Sequence, residues 1–371
     1  MSWMEGIMLW DHHCHALLAE TAKSDLDRLA RCLTEAPSTY PLEDLHHGVV
    51  FHQALAVMAS RLDVSCETAA VERALASVDY ADYCQRIFNE AGYARLLVDT
   101  GYTPMGAWSI DGMEKVLGIP IRKILRLETL AEKALTVARD FDDWIDRYQR
   151  TLKEARHDGY VGAKSIIAYR SGLHVVPVEE TRARAQFVVM RQREATRLVD
   201  PDLLNYLLYL ATPILMGQNL PLQFHTGFGD PDTDLLQGNP LLLRSYIEEF
   251  VSQGHRIALL HTYPYHREAG YLASVYPGVY LDVSLALPLA ASGSSRILHE
   301  ALELTPLSRL LFASDSHSRP ESYFLAAKFF REGMNAFLDR TVTRHQVLAS
   351  VAENWAHAVA KGNVERLYGI E

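Results

Sequence analysis

Asp11-His12-His13-Cys14-His15 follows the short apolar run Ile7-Met8-Leu9-Trp10 close to the N-terminus, and its reading decides the fold. Side chains along a strand alternate faces with period two, so His13 and His15 are expected on one face and Cys14 on the other. Two imidazoles at a strand end can close on one metal ion. Imidazole suits Zn, Fe or Mn, and two nitrogens leave room for a carboxylate and a water, the open coordination a catalytic metal needs. A bare His-x-His also occurs as a polar strand cap, so the other strand ends have to be consulted.

The 371 residues can bury a large core, and α/β barrels run long as single domains. One domain over 1–371 is therefore expected. An apolar share of 49% and a charged share of 22% are those of a globular chain. The formal net charge of -10 argues against a nucleic acid or an anionic membrane as partner and leaves small molecules, with a homo-oligomer open. Cys14, Cys32, Cys66 and Cys84 are widely spaced with no Cys-x-x-Cys pair, which points to a reduced, cytoplasmic setting without disulfides. No basic segment followed by a long apolar run opens the chain, so neither a signal peptide nor a membrane span is expected.

Residues 16–92 read as one long helical insertion after the first strand, placed to cover a substrate pocket. From 94 onward, β-rich runs at 94–99, 121–127, 161–169, 221–225, 256–261, 279–283 and 310–314 alternate with helical stretches such as 131–156, 201–217, 240–253 and 295–304. With 7–10 that makes eight strands, and 343–367 adds C-terminal helices. Apolar strands separated by amphipathic helices mean a parallel sheet buried on both faces. Eight units, without a Gly-rich first turn, favour a (β/α)8 TIM barrel over an open doubly wound sheet.

In such a barrel the strand C-termini share one face, where chemistry is built from several strands at once. Those ends carry His13 and His15, then Asp99, Arg126 with Glu128, Lys164 running to Tyr169-Arg170, His225, His261, Asp282 with Ser284, and Asp315. Four histidines and a carboxylate so placed form a candidate metal site. Arg170 offers a planar fork for a substrate carboxylate, with a structural pair to Glu128 or Asp99 as the alternative. Glu128 and Tyr169 complete the candidate substrate set, and Glu128 and Arg126 could bind an amine or orient ligands. His317 is expected to be exposed, and Trp10 and Trp108 to pack.

Four pieces in this order, Asp11-His12-His13-Cys14-His15, Gln223-Phe224-His225-Thr226-Gly227, Leu259-Leu260-His261-Thr262 and Phe312-Ala313-Ser314-Asp315-Ser316, resemble the amidohydrolase superfamily, and within it the amidohydrolase-related family. The segments from Lys164 to Arg170 and from Arg126 to Glu128 resemble the branch fused to glutamine-synthetase-like domains in some fungal and plant proteins. No such second domain fits within this chain. The resemblance implies His13, His15, His225 and Asp315 as metal ligands, with His261 a catalytic side chain or a ligand of a second ion. It implies zinc first, with Mn or Fe as alternatives, and one ion before two. Lys164 corresponds to a strand-four lysine that bridges two metals as a carbamate in binuclear members, unless the strand turns it outward.

A divalent metal brings the pKa of its water toward neutrality and polarises a carbonyl, and Asp315 could take the proton of the attacking water. A metal-dependent amidohydrolase is thus expected, cleaving an amide of γ-glutamyl or N-acyl amino-acid type. The alternatives are a nonoxidative decarboxylase or a lactonase of a carboxylated small molecule. A binding scaffold without catalysis is disfavoured because every expected ligand type is present.

Overall fold

Seven strands, β1 (Leu9–Cys14), β2 (Tyr93–Asp99), β3 (Ile121–Arg126), β4 (Tyr160–Ser165), β5 (Leu222–His225), β6 (Ile257–Leu260) and β7 (Val279–Leu281), form one parallel sheet whose spatial order is the chain order. They are described by a computed structural model covering residues 2–19 and 25–371. Helical crossovers join the strands and cover the outer face, so the strands are buried on both sides, as the apolar runs require. The sheet curls, and its strand C-termini open on one side.

The expected eighth strand does not form. Residues 310–316 run between β7 and β1, where Leu311 N–H donates to the Leu281 carbonyl and His12 N–H to that of Phe312, but Leu310 makes only an isolated bridge. The cause is local. Ser314 N–H donates to the Asp11 carboxylate at 3.0 Å, not to a ladder carbonyl, and Asp315 (φ 51°) and Ser318 (φ 62°) leave extended geometry altogether.

The stretch expected to be helical throughout is instead five helices between β1 and β2: Leu26–Cys32, Leu42–His46, Val49–Leu62, Thr68–Ser77 and Tyr80–Ala91. Its positions 20–24 lie outside the described residues. The expected 131–156 helix is likewise two, Leu127–Val137 and Phe141–Glu154, because Asp140 caps the second by accepting from Asp143 N–H. Helix Pro201–Gly217 matches its expected bounds. The 26-residue helix Pro320–His345 was missed: its first eight residues are all buried, which erases the amphipathic period that marks a surface helix.

The C-terminal segment is Ala349–His357, a π-helical turn Ala358–Gly362, and Asn363–Tyr368. Val364, Leu367 and Tyr368 from its last helix pack with Trp10, Leu97 and Ile124 in an apolar cluster separate from the main core. This cluster lies inside the curled sheet and forms a floor. Among the described residues no helix is long and apolar enough to cross a membrane.

Candidate metal centre

Strand register decides which side chains face inward. Lys164 of β4 pairs with Gln223 of β5, Gln223 with Ala258 of β6, and Ala258 with Tyr280 of β7, so the four share one face. Ala258 and Tyr280 belong to the inner floor cluster, which places Lys164 inside as well. The outward alternative for Lys164 is thereby removed. In β1 the period-two expectation fails for one residue. Asp11 pairs with Leu96 and Cys14 with Val98, so three steps on β1 match two on β2. The extra residue is a bulge, and both His12 and His13 turn inward while Cys14 packs outside against the Leu97 carbonyl.

His13, His15 and Asp315 then meet. Asp315 Oδ1 lies 3.1 Å from His13 Nε2 and 3.4 Å from His15 Nε2, and Asp315 Oδ2 lies 3.6 Å from His261 Nδ1. Among the described residues two compact ligand groups form, His13 with His261 and Asp315, and His13 with His15 and Asp99. His225 reaches the same mouth, its ring centroid 4.5 Å from that of His261. It enters neither group, and its Nε2 faces the Phe228 carbonyl at 3.1 Å. Lys164 Nζ lies 2.8 Å from His13 Nε2 and 3.9 Å from Asp99 Oδ2.

Asp315 and His261 both have positive φ, 51° and 69°, in a region sparsely populated by residues with a side chain. Such local strain persists where the surroundings over-determine it. Here the His261 N–H is held by Asp282 Oδ1 at 2.8 Å and its Nδ1 by Ser284 Oγ at 2.8 Å. Asp282 and Ser284, the strand-seven pair, therefore orient His261.

The electrostatics prepare neutral donors beside ionised carboxylates. Burial, aided by Lys164, lowers His13 to about 3, burial lowers His261 to about 4, and burial with His261 and Lys164 holds His225 well below its ordinary value. Burial alone would raise Asp315, yet the imidazoles of His261, His13 and His15 keep it well below the usual carboxylate range. Burial also opposes ionisation of Asp99, but Arg126 and Lys164 hold it down. Lys164 itself is lowered by burial despite Asp315 and Asp99.

The residues fit a divalent cation. Asp315 Oδ1, His15 Nδ1 and His261 Nε2 are buried without a hydrogen-bond partner, although imidazole nitrogens stand on two sides of that oxygen. Imidazoles and carboxylates at one point are the donor set of Zn, Mn or Fe sites.

Above the centre opens a cleft of about 640 Å³, the size of a small-molecule site. Tyr169 and Arg170 line it from a 3-10 turn, Ile167–Tyr169, that ends β4 sooner than expected. The Tyr169 ring lies 4.1 Å from that of His225. Arg170 pairs with Glu132 at 3.5 Å, not with Glu128 or Asp99, and its Nε has no partner. Asp99 is taken by Arg126, whose Nε donates at 2.9 Å. Glu128 is a correction: it is absent from the cleft wall, accepts from Ser165 Oγ at 2.6 Å and faces Tyr148 and Leu204 instead, because it opens a helix that turns away from the mouth.

His317 is also corrected, since it is half-buried and lines the cleft beside Tyr102, and burial lowers it to about 4. Thr34, Glu35 and Ala36, from the connection between β1 and β2, reach the same wall. Burial, with Asp315 and Asp230 nearby, pushes the Glu35 carboxyl up to about 8. Nothing in the local sequence marks Glu35 or Arg197 as cleft residues. Asp99 was not expected as a ligand from the sequence, although its strand-end position is the signal that could have marked it.

The sequence profile of the family described as Amidohydrolase matches residues 134–370. The chain belongs to this family. A crystal structure of a candidate metal-dependent hydrolase from Lactobacillus casei ATCC 334 superposes with a TM-score of 0.93 at 39% identity, over 99% of this chain and 96% of that one. The uronate isomerase of Thermotoga maritima shares the fold at 15% identity and a TM-score of 0.71, over 99% and 95% of the two chains. Protein fluG of Emericella nidulans is 30% identical over 97% of this amidohydrolase-family chain, which spans 45% of that protein's length.

Proposed function

We propose that this chain is a metal-dependent hydrolase that cleaves an amide bond in a carboxylated small molecule, of γ-glutamyl or N-acyl amino-acid type. The observation that carries the reading is Asp315 Oδ1, a buried, ionised oxygen without a hydrogen bond, set between His13 Nε2 and His15 Nε2 at the base of a cleft. His13, His15 and Asp315 would hold one divalent ion, zinc first. His225 is the proposed fourth ligand and His261 stands by the other carboxylate oxygen. When bound, the ion would acidify water and polarise the scissile carbonyl.

The rest belongs to the chain. Asp315, ionised at neutral pH, accepts the proton of the attacking water and returns it to the leaving nitrogen. His261, neutral and oriented by Ser284, adds a second group at the same carboxylate. Arg170, which lines the cleft, reads the substrate carboxylate, with Tyr169 as the flat wall beside it.

The test is metal analysis of protein purified without chelator, then a screen of N-acyl amino acids and γ-glutamyl amides for amine release. Stoichiometric metal with amide turnover supports the reading. Release of CO2 from a carboxylated substrate without water uptake would replace it by decarboxylation.

A further inference from the structure

Gln223 is a buried amide in the middle of β5, where an apolar residue would pack better. Its side chain makes three hydrogen bonds. Oε1 lies 2.9 Å from His13 Nδ1, and Nε2 lies 2.9 Å from the His12 carbonyl and 2.7 Å from the Tyr368 hydroxyl. The His12 carbonyl can only accept, which assigns the nitrogen of the amide to that side and the oxygen to His13. An oxygen there can only accept, so His13 donates from Nδ1.

The next links agree. Having accepted from Gln223, the Tyr368 hydroxyl donates to His12 Nδ1 at 3.0 Å, and His12 Nε2 donates to Asp282 Oδ2 at 2.7 Å. Each donor finds an acceptor from Asp282 to His13. The Tyr368 ring enters through a gap that the sequence keeps open: a Cβ on Gly162 would stand 2.9 Å from Tyr368 Cε1 and 3.2 Å from the Pro221 carbonyl oxygen. Both Gln223 and Tyr368 are fully buried, so water does not compete for these bonds.

We infer that Gln223 and Tyr368 are positioning residues of the metal centre, which from the floor hold His13 with its proton on Nδ1 and its Nε2 lone pair turned to the cation. The consequence is visible at the other nitrogen. With the proton on Nδ1, a bare Nε2 stands 3.1 Å from Asp315 Oδ1, an ionised oxygen, and two acceptors so placed call for a cation beside them. The Lys164 ammonium, 2.8 Å from Nε2, meets that need in part. A ligating histidine whose other nitrogen donates to a fixed acceptor has its tautomer and ring orientation set, and loss of such a partner weakens metal binding about 10-fold to 100-fold.

The inference rests on the metal-site reading above, and the experiment separates the two. Zn(II) affinity is measured by competition with a chromophoric chelator, and the visible spectrum of the Co(II) form is recorded, for wild type, Gln223→Leu, Gln223→Glu and Tyr368→Phe, with circular dichroism as the folding control. Gln223→Leu should bind Zn(II) about 10-fold to 100-fold more weakly and shift the Co(II) bands. Gln223→Glu keeps an oxygen for the His13 proton and, as a buried acid, a proton for the His12 carbonyl, so it should recover most of that loss. Tyr368→Phe removes one hydrogen bond to Gln223 and should weaken binding about twofold to tenfold. If Gln223→Leu does not fold, Gln223→Glu and Tyr368→Phe decide. A folded Gln223→Leu with wild-type affinity and spectrum, or Leu and Glu variants equally impaired, overturns the positioning role while leaving the metal site standing. Wild-type protein that takes up no Zn(II) overturns both.

Discussion

At the floor of the sheet, Trp10, Leu97, Ile124 and Leu367 pack as hydrocarbon closed by the last helix, whereas toward the C-terminal ends of the strands Arg126, Lys164 and His225 stand round a water-accessible cleft. At the floor the polar side chains of Gln223, Tyr368 and His12 satisfy one another. The mouth leaves Asp315 Oδ1, His15 Nδ1 and Arg170 Nε without partners. The difference separates two kinds of burial. Apolar contact at the floor gives stability, and unsatisfied polar atoms at the mouth, which cost free energy in isolation, mark where a ligand completes the structure.

The contrast can be broken first at the mouth. Asp315→Asn should lower kcat by about a hundredfold to ten-thousandfold, because an amide can still ligate but cannot carry the proton. Kinetics with metal content determined on the same sample is the check, and near-normal kcat in a metal-loaded variant would end the role given to Asp315. At the floor the effect should appear in stability instead. Leu97→Ala, at a fully buried position, should cost about 2 to 5 kcal/mol in a urea melt while the folded fraction keeps its metal and its kcat.

Arg170→Ala sharpens the comparison by asking what one unpartnered atom of the mouth is for. Loss of a charge-assisted contact costs about 1.5 to 3 kcal/mol, so kcat/KM should fall about tenfold to a hundredfold for carboxylated substrates and much less for their neutral amides. Equal losses on both series would make Arg170 a partner of Glu132 only.

The smallest effect is a pH dependence from the floor side. His255, buried just before β6 with Nε2 unpartnered, is lowered by burial to about 4. Its folded value lies below the unfolded one of about 6.5, so the unfolded chain binds the extra proton between the two. Stability from this group is present above about pH 6.5 and is lost as pH falls toward 4, on the order of 2 kcal/mol by pH 5. His255→Gln should flatten that part of the urea-midpoint profile, and an unchanged slope would assign it elsewhere.

Much of the mouth was legible because chemistry there is written in residue types a strand seldom carries. His13, His15, His261 and Asp315 announce themselves at strand ends, and the structure brings those four together. Glu128 misled, since a strand-end carboxylate and one that opens a departing helix look alike until the helix is placed. Glu35 was silent, because the connection that carries it reaches the cleft only by tertiary packing.

By itself the sequence determined the parallel α/β class and the inward histidines, since alternation of apolar strands with helices and the position of polar residues at strand ends are local patterns. Only the tertiary structure decided that the expected eighth strand is an irregular segment tied to Asp11, that a bulge turns His12 inward beside His13, and that Tyr368 near the end of the chain reaches the first strand. Those outcomes depend on hydrogen bonds between residues far apart in the chain, and such bonds leave no period in the sequence.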